Sequence, residues 1–212
     1  MTRIAIIDYG MGNLHSIAKA LDHVAPDAVV EVTDRSDLIH AADRVVFPGV
    51  GGIGHCMEEL RRHRLVDLIR ESAAEKPTLG ICLGLQALLD HSEENGGTPC
   101  LGVIPGEVRY FGDRPIDPVS GQALTVPHMG WNNVQHNDHP LWDGIDQGER
   151  FYFVHSYYAD PREQTDVAGT TDYGRTFSCA VARDKLFAVQ FHPEKSADAG
   201  LHLLKNFVAW NP

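Results

Sequence analysis

Apolar and polar positions divide the chain into two textures. In the first, Ile4 to Ile7 is an unbroken apolar run that stops at the turn Asp8-Tyr9-Gly10-Met11-Gly12-Asn13; Leu14, Ile17, Ala18 and Leu21 then recur at i, i+3, i+4 and i+7. So short and continuous a run reads as a strand covered on both faces, and the spacing after it as an amphipathic helix. The alternation continues with Val29 to Val32 as a strand, Ser36 to Ala41 as a short helix, and Arg44 to Phe47 as a strand halted by Pro48-Gly49. One long helix is expected from about His55 to Ala74, with Leu65, Leu68 and Ile69 on one face. The segment Pro77 to Cys82 reads as a strand running directly into a helix over about Leu83 to His91.

From Leu101 the texture changes. Val108 to Phe111, Ala123 to Val126, Phe151 to Tyr158, Ala168 to Thr171, Phe177 to Val181 and Leu186 to Phe191 are strand-like and separated by turn residues. A last helix over about Ala197 to Trp210 turns Leu201, Leu204 and Val208 inward behind a Ser196 cap. Together these predict an α/β fold: an open, mostly parallel sheet flanked by helices, with additional antiparallel strands in the second half. No repeat, linker or low-complexity tract interrupts the 212 residues, so a single domain over 1–212 is expected.

Charge and composition narrow the function classes. A formal net charge of -11 gives no basic face for nucleic acid or an anionic membrane. The apolar run after Met1 is too short for a signal peptide and no later stretch approaches a membrane span, which points to a cytoplasmic protein. Cys56, Cys82, Cys100 and Cys179 stand singly, with no C-x-x-C pair, as suits a reducing compartment. No His-Glu-x-x-His, calcium loop or P-loop is present, so no metal or cofactor is expected.

Three stretches carry candidate chemistry. Gly80-x-Cys82-x-Gly84 puts a cysteine at a strand-to-helix turn, where a tight bend lifts the side chain clear of the sheet and the following amides can face an oxyanion; the plainer alternative is a buried core cysteine. Phe187 to Phe191 delivers His192 and Glu194 to a strand end, which supplies a base and a carboxylate to orient it. Gly49-Val50-Gly51-Gly52-Ile53-Gly54 fits G-x-G-x-x-G, but about 20 residues on the chain is still in a helix near Glu71, where a dinucleotide fold needs an acidic strand end. A turn required by the chain path and a loop presenting amides to a ligand both remain open for it. Phe151 to Tyr158 offers polar groups at a strand end, and Pro127-His128-Met129-Gly130-Trp131-Asn132 is either a binding loop or a turn.

Taken together, these stretches resemble the class I glutamine amidotransferases, and within them the glutaminase subunits of imidazole glycerol phosphate synthase. The resemblance rests on Gly80-x-Cys82-x-Gly84-x-Gln86, His192-x-Glu194, Asp8-Tyr9-Gly10-x-Gly12-Asn13-Leu14, Pro48-Gly49-Val50-Gly51, Pro127 to Asn132, Phe153-Val154-His155-Ser156-Tyr157-Tyr158 and Gln190-Phe191-His192-Pro193-Glu194-Lys195-Ser196. It implies that Cys82 attacks the side-chain amide of L-glutamine, that His192 carries the proton and that Glu194 orients His192. It further implies an oxyanion hole from Leu83 with Val50 or Gly51, and glutamine held by Gln86, Glu94, Ser156 and Tyr157. The partner it implies is a (β/α)8-barrel cyclase subunit in a heterodimer, met near Asn13, Met129, Trp131 and Asn132. Gly52, Ile53 and His55 depart from an Ala-Phe-Asp run more usual in that group, and Leu85 from a common Met.

Overall fold

The computed structural model describes residues 1–212. Its first half alternates as the apolar pattern predicts: β1 (Arg3–Ile7), α1 (Leu14–Val24), β2 (Val29–Thr33), α2 (Ser36–Ala41), β3 (Arg44–Gly49), α3 (Ile53–Arg62), α4 (Val66–Glu75), β4 (Thr78–Cys82) and α5 (Leu83–Ala87). Two short strands follow, β5 (His91–Ser92) and β6 (Thr98–Pro99), and then β7 (Gly106–Tyr110), β8 (His128–His136), β9 (Glu149–His155), β10 (Tyr157–Pro161), β11 (Val167–Asp172), β12 (Thr176–Arg183), β13 (Leu186–Val189) and α6 (Ala197–Ala209).

Strands β2, β1, β3, β4 and β13 lie side by side and parallel. The interior strands β3, β4 and β13 are buried at every residue, as strands covered on both faces must be. Alternate residues serve different cores. Ile4 and Ile6 pack with Ile17 and Leu21 of α1 and Leu203, Leu204 and Phe207 of α6, whereas Ala5 and Ile7 pack with Ile39 of α2, Leu60 of α3 and Leu68 and Ile69 of α4. Beyond β13 the sheet turns antiparallel through β12, β10 and β7, and β11 links β12 to the β8–β9 ribbon.

Several boundaries differ from the sequence reading, each for a local reason. The long helix is two, because Arg64 takes φ 58° and the Leu65 amide reaches back to the Leu60 carbonyl at 2.9 Å while the Arg64 amide bonds Arg61. That is a Schellman termination with arginine where glycine is usual. The helix after Cys82 stops at Ala87, and the chain enters the sheet at His91 instead of continuing. Ala123 to Val126 is no strand: its sole sheet contact is an isolated bridge from Ala123 to Ile116, and three of the five residues 121–125 that frame it are polar or glycine. His128 to Asn132 open a strand just after Pro127, neither a binding loop nor a turn, and Phe151 to Tyr158 is two strands interrupted at Ser156. In α6 the buried face is Gly200, Leu203, Leu204 and Phe207, with Leu201 and Val208 only half-buried. Ser196 does not cap it; its hydroxyl donates to His192 O at 2.6 Å and accepts from Tyr152 N at 3.0 Å.

Candidate active site

Three parallel strands end together. Gly49 at the end of β3 is in register with Cys82 at the end of β4, and Val189 closes β13 beside Ile81. The carboxyl ends of open α/β sheets gather ligands because loops diverge there. Cys82 sits at φ 55°, ψ -108°, a conformation that costs a non-glycine residue about 1–3 kcal/mol and that the packing around it imposes. The crowding is measurable at Gly84: a Cβ there would lie 2.1 Å from Phe47 O, so only glycine lets α5 start so close to β3.

Around this turn a cavity of about 300 Å³ is lined by Val50, Gly51, Cys82, Leu83, Gln86, Glu94, Pro127, Val154, His155, Ser156, Tyr157 and His192. It is the right size for a small polar ligand. A larger cavity of about 560 Å³, between Trp131 and the start of α6, contains neither Cys82 nor His192. His192 Nδ1 lies 2.9 Å from Glu194 Oε1, and both side chains are almost completely buried. Burial opposes the charged imidazole, but the Cys82 sulfur and the Glu194 carboxylate outweigh it and push His192 up to about 9. His192 Nε2, on the opposite side of the ring from Glu194, has no hydrogen-bond partner. A sulfur nucleophile, an imidazole with one nitrogen fixed and the other unpartnered, and a buried carboxylate behind it can together perform nucleophilic acyl chemistry.

The remaining walls come from separate elements. Gln86, one turn into α5, donates from Nε2 to Tyr157 O and to Gln190 Oε1, both at 3.0 Å. Glu94 Oε2 accepts the Ile53 amide at 3.0 Å, so it caps α3 from across the chain, where Gly52 has no side chain to do so. Gly51 has φ +91°, which holds the Val50–Gly51 segment in a turn facing the cavity. The break between β9 and β10 supplies Ser156 and Tyr157, and His155 Nδ1 meets Tyr157 O at 2.7 Å.

All ten predicted nucleophile, oxyanion and glutamine residues except Glu194 line this one cavity, and Glu194 reaches it through His192. The four predicted partner residues lie outside it. In β8 the pleat separates them: Met129 and Trp131 face out, 62% and 44% exposed, while Asn132 points the other way and donates to Asp172 O at 2.9 Å. Met129 is paired with Val154, a lining residue, so the exposed face of the ribbon adjoins the cavity mouth. Asn13 is half-buried and precedes α1. Sequence reasoning placed Gln190 and His155 inside its motifs but gave neither a role: Gln190 is fully buried with Nε2 3.7 Å from Cys82 Sγ, and His155 lines the cavity. The available signal for Gln190 was a polar residue closing an otherwise apolar strand two positions before His192.

A family profile described as Glutamine amidotransferase class-I matches residues 5–210. The imidazole glycerol phosphate synthase subunit HisH of Methylococcus capsulatus is 59% identical, aligned over 100% of this chain and 98% of the relative. HisH of Nitrosococcus oceani is 57% identical over 100% and 99%, and that of Acinetobacter baylyi 54% over 100% of both. Among solved structures, one described as a glutamine amidotransferase superposes with TM-score 0.70 at 17% identity, covering 97% of this chain and 99% of the other. PurLQS from Thermotoga maritima also gives 0.70 at 17%, covering 98% of each; at such identity these two speak for the fold alone. The chain belongs to the class-I glutamine amidotransferase family, in the group of the HisH subunits of imidazole glycerol phosphate synthase.

Proposed function

We propose that the chain is the glutaminase subunit of an imidazole glycerol phosphate synthase, releasing ammonia from L-glutamine for a cyclase partner. The observation that carries this reading is the meeting of Cys82, the His192–Glu194 pair and the Leu83 and Val50–Gly51 backbone in one cavity. The Cys82 thiol proton passes to His192 Nε2, and the sulfur adds to the carboxamide carbon of glutamine. The Leu83 amide, with that of Val50 or Gly51, receives the developing oxyanion. When the C–N bond breaks, nitrogen takes the proton from His192 and leaves as ammonia; water then cleaves the γ-glutamyl thioester and returns the proton to sulfur. Gln86, Glu94, Ser156 and Tyr157 hold the amino-acid end of the substrate. Cytoplasmic placement follows from this biosynthetic role.

The cyclase, a (β/α)8 barrel, docks over the cavity mouth through Met129 and Trp131, with Asn13 at the border. Asn132 supports the ribbon from its inner side through its bond to Asp172. Glutamate release by the chain alone, with the cyclase, and with cyclase plus its nucleotide substrate tests the whole reading. The complex with nucleotide is expected to be the fastest. No glutamate from any of the three mixtures would overturn the proposal.

A further inference from the structure

Gln190 is a polar side chain that the site does not obviously require. It follows β13, is fully buried, and lies between two groups of the cavity: Oε1 is 3.0 Å from Gln86 Nε2, and Nε2 is 3.7 Å from Cys82 Sγ. A buried primary amide is stable only when both of its ends are engaged. Here the ends are engaged in a fixed order.

The order starts at the Tyr157 carbonyl, which can only accept. Gln86 must therefore present its NH2 group there, and the same nitrogen lies against Gln190. If Gln190 were turned over, two NH2 groups would face each other, so its oxygen takes the Gln86 side. Its own NH2 is left pointing at Cys82 Sγ. The backbone thus dictates, through two side chains, that the cysteine receives a hydrogen bond.

We propose that Gln190 is a further catalytic residue, whose side-chain amide donates to the Cys82 sulfur, favours its thiolate form and aims it at the substrate carboxamide. This rests on the amidotransferase reading of the site. An N–H···S bond strengthens when sulfur carries charge, the more so in a buried site. After the thiol proton has moved to His192 Nε2, the bond to Gln190 holds the resulting anion. As a sulfur lone pair forms the S–C bond and the carbonyl π pair moves to oxygen, that bond weakens and the oxyanion amides take over. It re-forms when water releases glutamate.

The test uses the full chain. Cys82 is alkylated with iodoacetamide across a pH series and its modification is followed by peptide mass, with folding checked by circular dichroism and urea melts. Gln190→Met is expected to react about tenfold more slowly than wild type near neutral pH and equally fast in strong alkali, its profile displaced upward by about one pH unit. Gln190→Glu, equal in shape, is expected to react more slowly still. In the complex with the cyclase, kcat for glutamine is expected to fall by about tenfold or more in both. In the wild-type chain, the Gln190 side-chain amide proton signal shifts over the pH interval in which alkylation rises. A wild-type alkylation profile in a folded variant, or an amide signal that ignores that interval, overturns the assignment whether or not the other variant folds. A wild-type complex without glutaminase activity would instead overturn the functional reading.

Discussion

The two halves of the molecule contribute to the cavity in opposite ways. The parallel half delivers Gly49 and Cys82 from strands without one exposed residue, fixed by backbone contacts so close that a single Cβ cannot be added at Gly84. The antiparallel half delivers Ser156 and Tyr157 from an interruption between two strands, and carries on the same ribbon two exposed apolar residues, Met129 and Trp131. The proposed function divides along the same line: it puts the chemistry on a fully enclosed sheet and the arrival of ligand and partner on a ribbon with one open face. The contrast implies that changes in the first half break the site itself, and changes in the second half break what reaches it.

The largest effect is expected at the nucleophile. Under the proposed mechanism Cys82→Ala removes the covalent step, so glutamine hydrolysis in the complex with the cyclase should fall by at least about a thousandfold, several kcal/mol of transition-state stabilisation. The alanine relieves no packing and leaves the partner surface intact, so synthesis supplied with ammonium salt should continue at the wild-type rate. Steady-state glutamate release and cyclase product formation, measured side by side, check this. Retained hydrolysis would remove Cys82 from the mechanism.

Glycines in the two halves should respond differently to one added methyl. In Gly84→Ala the new Cβ meets Phe47 O at 2.1 Å, against a backbone that cannot yield without moving β3. A loss of about 3 kcal/mol in urea unfolding is expected. Gly130→Ala, on the ribbon, meets nothing within 4 Å and carries only the strain of φ +134°, for which about 1 kcal/mol is expected. Equal losses would mean that the enclosure of the parallel half is not what fixes the Cys82 turn.

The same contrast governs what could be read from sequence. The enclosed strands announce themselves as apolar runs, and Cys82, His192 and Glu194 stand where those runs stop, so the gathering of these side chains at one sheet edge was legible from positions, while the roles proposed for them came from the family resemblance. The Schellman turn at Arg64 was not, because arginine carries no signal for a left-handed conformation; the break serves to set Leu60 and Leu65 into one core. The division at Ser156 was hidden because the aromatic run continues through it, and β8 was hidden because glycine and asparagine within it imitate a loop. Gln190 acquires meaning only from partners more than a hundred residues away, Gln86 and Cys82, and His155 from His128 on the neighbouring strand, a pairing fixed by the fold. Long-range hydrogen bonds leave no periodicity.

Histidines separate the halves by pH. On the ribbon side His128 Nδ1 lies 3.0 Å from His155 Nε2, and burial holds the two down to about 4 and about 3. The unfolded chain takes up protons near pH 6.5 that this pair refuses, so stability is lost as pH falls below that value. Acidification to about pH 5.5 should cost on the order of 1 kcal/mol per histidine. His192 has the opposite sign: its folded value is raised to about 9, so its contribution is complete below about pH 6.5 and disappears as pH rises through 9. Urea midpoints should therefore decline on both sides of neutrality, with His128→Leu flattening the acid limb and His192→Leu the alkaline one. An acid limb unchanged in His128→Leu would place the proton uptake elsewhere.

The smallest effect in the chain's own stability is expected where the ribbon faces solvent. Met129 is 62% exposed, so Met129→Ala should lower the unfolding free energy in urea by only about 0.5 kcal/mol, whereas Trp131, 44% exposed and edge-on to Tyr152 with ring centroids 6.1 Å apart, gives up more covered surface in Trp131→Ala, for about 1 kcal/mol. If the open face is the cyclase contact, the same change removes an aromatic anchor, and affinity should fall by about tenfold, near 1.4 kcal/mol. Titration calorimetry against the cyclase reads the second quantity, and kcat at saturating cyclase should recover to the wild-type value. Unchanged affinity in Trp131→Ala and Met129→Ala alike would leave the ribbon as a mere wall of the cavity, and the two halves would no longer differ in what they are for.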